Sequence, residues 1–284
     1  MRGTIVRALS GFYYVLSEGE TFECRARGAF RNRKQTPLVG DEVEFGEGAV
    51  ERILPRLNSF ERPPVANVEL MVIVAPVKDP EPSLPILDRV AIAAEKRNTE
   101  VLICVSKTDL ADDSVSVNIE EHYRNAYPVL TVCAPDGRGV EELKERIRGR
   151  KTALAGPSGA GKSTLANALL GSERSATGEI SERLRRGKNT TRHCELFTAD
   201  GLMIFDTPGF TSFDIEDIAS AELAGLYPDI ARFEGGCRFA DCRHISEPDC
   251  SVKAALERGE ISPGRYDSYR SIYSELLEAE KRLR

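Results

Sequence analysis

Apolar and polar positions change rhythm twice along this chain. Over residues 1–62 the apolar runs are short and strand-like: Thr4 to Leu9, Phe12 to Leu16, Thr21 to Cys24, an alternating run to Phe45 after a Gly40–Asp41 turn signal, and Ala49 to Leu54. Five such runs in so short a span predict a small all-β barrel of the OB-fold kind. Residues 57–66 carry a Pro63–Pro64 pair and read as a linker. Beyond it, continuous apolar strands at 69–75, 101–105 and 129–133 alternate with helix-period segments at 87–97, 117–127 and 140–148. Strand 152–155 then feeds a helix at 164–170, and two strands at 194–198 and 202–205 follow, joined by the turn 199–201. Alternating strands and helices predict a parallel α/β sheet. The last helix, 266–284, places Tyr266, Tyr269, Tyr273, Leu276 and Leu277 on one face for packing. The expected organisation is multidomain: an OB-fold barrel at 1–62, an α/β domain at 67–218 and an α-rich domain at 219–284.

Composition narrows this picture. At 284 residues, 41% hydrophobic and 30% charged, the chain reads as soluble and globular. No run approaches the ~20 apolar residues of a membrane span, and the first residues lack the apolar core of a leader peptide. Seven cysteines are an odd and mostly scattered set, so no disulfide framework is expected; a cytoplasmic monomer is. A net charge of −6 gives no global signal for nucleic acid. A local one lies in Arg25 to Lys34, which holds five basic residues, no acid and one aromatic, Phe30. Cations neutralise phosphates and an aromatic stacks on a base, so this is either an RNA contact or a solvated loop. The basic end at Lys281 to Arg284 poses the same pair of alternatives.

The chemistry centres on Gly156-Pro157-Ser158-Gly159-Ala160-Gly161-Lys162-Ser163-Thr164, which fits G-x-x-x-x-G-K-[ST] between a strand and a helix. Glycines let consecutive N–H groups turn toward phosphate oxygens, and the helix N-terminus adds partial positive charge. Lys162 reaches the outer phosphates and Ser163 ligates magnesium. Ser106-Lys107-Thr108-Asp109 ends a buried strand, where ligands of open α/β sheets sit. It resembles the Asn-Lys-x-Asp base-reading box of GTP-binding proteins. A carboxylate at Asp109 accepts from both N1–H and the N2 amine of guanine, and adenine has neither. A shorter serine stands where asparagine is usual. Cys133-Ala134 supplies a backbone N–H for the guanine oxygen.

Asp206-Thr207-Pro208-Gly209 ends another apolar strand. Its aspartate can hold magnesium through water, and the Gly209 N–H can sense the γ-phosphate; Thr191 (or Thr190) supplies the switch threonine on magnesium. In ordinary GTPases the base box comes last. Here it comes first, which is a circular permutation that keeps every contact and moves the termini. The glutamine that orients attacking water is replaced by Phe210, so slow intrinsic turnover is expected. Cys237, Cys242, His244 and Cys250 are spaced C-x4-C-x-H-x5-C and suit a closed tetrahedral zinc site. Cys24, Cys104, Cys133 and Cys194 lack ligand spacing and read as core.

Together these segments resemble the ribosome small subunit-dependent GTPase A (RsgA) family, over nearly the whole chain. The resemblance implies an OB-fold, a permuted GTPase domain and a zinc domain. It also implies late maturation of the small (30S) ribosomal subunit, GTP hydrolysis stimulated by that subunit, and contact with its rRNA. One departure stands out. The family's switch usually reads Gly-Arg/Lys-His-Thr-Thr, with the histidine helping hydrolysis; here Asn189 takes that place, and His193 lies at other spacing. Asparagine can orient water but cannot exchange a proton near neutral pH. The expected catalytic set is therefore Lys162, Asn189, Thr191, Asp206 and Gly209. The alternative is a GTP-gated rRNA-binding adaptor with little turnover; a third reading, an ATPase with a chance base box, rests on less.

Overall fold

The computed structural model describes residues 1–27, 30, 35–171, 194–206, 215 and 217–282. They form two compact units, one of Met1–Met71, Val140–Leu154 and Ser163–Thr211, the other of Val72–Gly139, Ala155–Lys162 and Ser212–Arg284.

In the first unit, β1 (Arg2–Leu9), β2 (Phe12–Ser17), β3 (Glu20–Ala26), β4 (Glu42–Gly46) and β5 (Ala49–Ile53) follow the expected runs closely. β1, β2 and β3 form an antiparallel meander, β3 pairs with β5 in parallel, and β5 pairs antiparallel with β4. β4 then returns to β1, which closes the ring around Ile5, Val15, Cys24, Val43 and Val50. A five-stranded closed Greek-key barrel is the OB-fold.

Residues 57–66 are a hairpin and not a linker: β6 (Ser59–Glu61) pairs antiparallel with β7 (Pro64–Ala66). Two asparagines fix its ends. Asn58 Nδ2 donates to Val68 O at 2.7 Å while its Oδ1 accepts from Val68 N at 2.9 Å, and Asn67 Oδ1 accepts from Leu57 N at 2.7 Å. With Phe60 and Val65 buried, side-chain amides and a small core do what the proline pair alone does not suggest.

In the second unit lie β8 (Leu70–Pro76), α1 (Leu84–Glu95), β9 (Glu100–Ser106), α2 (Asp113–Tyr123) and β10 (Val129–Val132), with β9 between β8 and β10 and parallel to β10. α2 begins and ends four residues before the expected 117–127. Asp113 in its first turn favours the positive end of the helix, and Pro128 disfavours helical geometry at Tyr127. α3 (Val140–Ile147) leads to β11 (Lys151–Ala155), and α4 is Lys162–Leu170; of these, Ala155 and Lys162 belong to the second unit and the rest to the first. β12 (Glu195–Ala199) and β13 (Leu202–Asp206) form an antiparallel pair, and β13 runs parallel to β11. The expected parallel sheet therefore carries antiparallel strands as well.

The C-terminal region of the second unit is helical: a 3-10 stretch at Ser220–Leu226, α5 (Ser251–Glu257) and α6 (Pro263–Arg282). Tyr266, Tyr269, Ile272 and Leu276 of α6 are buried in a core with Leu223, Tyr227, Ile230 and Val252. At its centre Arg265 is 1% exposed. Its guanidinium donates to Asp88 of α1 and, at 2.8 and 3.1 Å, to Asp229, and lies 4.4 Å from the Tyr227 ring centroid. A buried guanidinium with two carboxylates and aromatic walls is paired on every side, which burial of a charge demands.

Candidate functional site

β11 ends at Ala155, and the next residues curl back on themselves. Gly156, Gly159 and Gly161 have φ of 136°, 79° and 93°, which only glycine adopts without strain. A Cβ on Gly156 would stand 2.4 Å from the Val74 carbonyl of β8, so the loop lies too close to that strand for any side chain. Lys162 Nζ folds over the loop and donates to the Gly156 and Pro157 carbonyls at 2.7 and 2.8 Å; burial pulls its pKa down from the ordinary lysine value. A glycine cradle with an ammonium inside it has the charge and shape for a polyphosphate. Ser158 is exposed, Ala160 is buried, and Ser163 and Thr164 lie exposed on the first turn of α4.

The base box meets this loop directly. Ser106, buried at the end of β9, donates from Oγ to the Ala160 carbonyl at 2.9 Å. Lys107, at φ 61°, runs beside Gly161 and donates from Nζ to the Asp79 carbonyl, while Pro80 flanks Gly159. Thr108 is half-buried and Asp109 is exposed. Asp109 opens on a cleft of about 540 Å³ lined by Val77, Lys78, Glu81, Leu110, Asp112 and Val115. The Cys133 thiol lies 3.4 Å from Asp109 Oδ1. The Cys133 N–H, however, donates to the Arg138 carbonyl at 2.9 Å. It is therefore engaged within its own turn, which corrects the expectation for Cys133 as a donor to the base.

Asp206 ends β13 one residue beyond Phe205, which is registered with Ala153 of β11. The switch residues Asn189, Thr190, Thr191 and His193, with Gly209 and Phe210, lie outside the described residues. Of the basic stretch, Arg25 stacks over the Phe12 ring at 4.5 Å and Arg27 pairs with Glu51 at 2.7 Å; residues 28, 29 and 31–34 lie outside the described set.

Cys237, Cys242, His244 and Cys250 converge, with their ligand atoms within 4.8 Å of one another. His244 Nδ1 is 3.5 Å from Cys237 Sγ and 3.4 Å from Cys250 Sγ, and the two sulfurs are 3.9 Å apart. A tetrahedron with zinc–sulfur bonds of ~2.3 Å and a zinc–nitrogen bond of ~2.0 Å has edges of roughly 3.5 Å between N and S and 3.8 Å between sulfurs. The donor set fits zinc on chemistry and on spacing. Glu234 Oε1 stands 3.8 Å from the far ring nitrogen, where a carboxylate can fix the tautomer. The remaining cysteines, 24, 104, 133 and 194, are buried, as expected of core residues.

Sequence reasoning missed His122 and Asp88–Arg265–Asp229. His122 of α2 is buried, with Ser262 Oγ at 3.4 Å from Nδ1. No local pattern announces either, because each depends on α6 arriving from far along the chain.

The RsgA GTPase family model matches residues 53–216, and the RsgA N-terminal domain model matches residues 2–49. The chain is 43% identical to a small ribosomal subunit biogenesis GTPase RsgA of Geobacillus thermodenitrificans, over 99% of each chain. It is also 43% identical to the protein of that name from Clostridium acetobutylicum, over 95% of each. A crystal structure of YjeQ from Thermotoga maritima superposes with a TM-score of 0.84 at 36% identity, covering 97% of this chain and 98% of that one. A crystal structure of YloQ, described as a circularly permuted GTPase, gives 0.81 at 34% identity, covering 98% and 95%.

Proposed function

The chain belongs to the RsgA GTPase family, GTPases of small ribosomal subunit biogenesis, and from that premise we propose how its residues divide the work. The turn of Ser106, Lys107, Thr108 and Asp109 forms the guanine site, and Gly156 to Thr164 bind the phosphates. The observation that carries this reading is the Ser106–Ala160 hydrogen bond, which joins a base-reading turn to a phosphate cradle within one unit. Asp109 accepts from the guanine N1–H and N2 amine. A site built on such acceptors rejects adenine by roughly 10⁴-fold, since the acceptors would go unpaired.

Lys162 leaves the Gly156 and Pro157 carbonyls and donates to the outer phosphate oxygens, where its charge counts most as negative charge grows. Ser163, Thr191 and Asp206 would hold magnesium, which when bound would supply positive charge against the phosphates. The Gly209 N–H turns toward the terminal phosphate. Phe210 offers no group to the attacking water, and Asn189 orients it without exchanging a proton. Slow turnover alone, with a catalytic contribution from the subunit, follows. Cys237, Cys242, His244 and Cys250 hold one structural zinc.

The partner is the small ribosomal subunit. Its rRNA meets the barrel at 1–62 through Arg25 to Lys34, the segment 67–218 hydrolyses GTP, and 219–284 carries the zinc. The protein acts in the cytoplasm as a monomer; among the described residues, no helix is long and apolar enough to cross a membrane. The test is GTP hydrolysis with and without purified small subunits, with ATP and Lys162→Ala as controls. Stimulation of roughly 10-fold or more, absent from Lys162→Ala and with ATP, is expected. The lost switch histidine favours a second reading, a GTP-gated rRNA-binding adaptor. It predicts GTP-dependent subunit binding with single-turnover hydrolysis no faster on the subunit.

A further inference from the structure

We propose that Ser106 is a positioning residue whose single hydroxyl proton holds the phosphate loop, so that guanine N7 goes unread and base selection falls to the Asp109 edge. The inference rests on the guanine-nucleotide reading above and deepens it.

A serine hydroxyl has one proton and two lone pairs. Here the Oγ proton is committed to the Ala160 carbonyl at 2.9 Å, in a site where Ser106 is 7% exposed. Guanine N7 is a bare acceptor and needs a donor, so the two lone pairs left on Oγ are of no use to it. Asparagine at the same place would carry two N–H protons and a carbonyl on a longer arm, enough to serve loop and base together. Serine must choose, and the geometry shows the choice. The Ser106 main chain is engaged as well, since its carbonyl accepts from Val77 N at 3.0 Å.

The tether matters because the loop's own side-chain hydrogen bonds, from Lys162 Nζ to the Gly156 and Pro157 carbonyls, close the loop on itself and do not tie it to the base turn. Gly156, Gly159 and Gly161 have positive φ, and the space a Cβ would take at them is bordered by the Val74 carbonyl, Pro80 and the Lys107 chain. The Ser106 hydroxyl, by contrast, makes a direct hydrogen bond from the base turn to the loop. It sets the loop's distance from the base turn, hence the span between guanine and phosphates that a nucleotide must match.

The experiment measures Kd of the full-length protein for GDP, 7-deaza-GDP and ADP, in wild type, Ser106→Ala and Ser106→Thr. Replacing N7 by C–H removes the acceptor alone. Wild type is expected to bind GDP and 7-deaza-GDP within about twofold of each other. Ser106→Ala weakens both by the same factor, roughly 3- to 10-fold for one buried hydrogen bond, and leaves the GDP-to-ADP ratio unchanged. Ser106→Thr keeps the hydroxyl and restores the wild-type values, which a packing role for the small side chain would not do. A tenfold or larger preference of wild type for GDP over 7-deaza-GDP overturns the inference, and so does unaltered GDP affinity in Ser106→Ala. Equal binding of ADP and GDP by wild type is a different failure: it would sink the guanine reading itself.

Discussion

Burial holds the His122 ring neutral. It is 5% exposed on α2, and its pKa is lowered to about 4 by desolvation, against which Asp88 and Asp229 pull upward while Arg265 adds to the lowering. Between that value and the 6.5 of an unfolded histidine, the unfolded chain binds a proton that the folded one refuses. Stability from this residue is therefore full above pH 6.5 and is lost as pH falls toward 4, by about 3 kcal/mol. Urea unfolding between pH 7 and pH 4 should show wild type losing about that much more than His122→Asn. Parallel curves for the two proteins would refute this role. Nothing in the sequence around His122 marks it: its neighbours on α2 are mostly polar, and what buries it comes from residues 262–264. The turns at Gly156–Thr164 and Ser106–Asp109 were legible because each is a contiguous motif behind its own strand. The contact between them, Ser106 to Ala160, was not, because a motif carries no distance to a second motif.

Among the elements, α6 depends on a missing side chain. Gly264 in its first turn would, given a Cβ, place it 2.6 Å from the His122 ring. An exposed helical glycine replaced by alanine gains about 1 kcal/mol. Here the sign should reverse, since ring and backbone are both packed, and Gly264→Ala should cost roughly 1–3 kcal/mol. A lowered thermal unfolding midpoint relative to wild type checks it; a raised one would mean the ring moves aside freely. Strands and helices with strong periodicity, such as β8, β9 and α3, were legible to within a few residues. The segment 57–66 was not, because Pro63–Pro64 signals a break and says nothing of the two asparagine amides that turn the break into a hairpin. The misplaced α2 shows apolar period losing to acidic residues at a helix start and a proline beyond its end. The convergence of Cys237, Cys242, His244 and Cys250 was legible, since four such side chains within so short a stretch leave the chain few ways to keep them apart.

Over the whole molecule the order of the elements is what distinguishes the chain. Ser106–Asp109 precedes Gly156–Thr164, and the chain runs from Asp206 into the C-terminal region that carries the Cys3His cluster. The alternation of elements made that permutation readable, and the five runs at the start made the barrel readable. The parallel β3–β5 pairing that gives the barrel its topology and the antiparallel β12–β13 pair came only with the structure, because strand partners are set by long-range packing. The same is true of Arg265, whose carboxylate partners lie 177 and 36 positions away. In the proposed reading, what joins these parts in function is a guanine nucleotide read at Asp109. The most direct measurement of that claim is competition by GDP, ADP and XDP against a fluorescent guanine nucleotide, for wild type and Asp109→Asn. The carboxylate accepts from guanine's N1–H and N2 amine; the carboxamide sets a donor against that amine and suits the C2 carbonyl of xanthine. The account predicts that wild type prefers GDP over ADP and XDP by roughly 10³-fold or more, and that Asp109→Asn prefers XDP. Equal competition by ADP, or an unchanged guanine preference in Asp109→Asn, would contradict it.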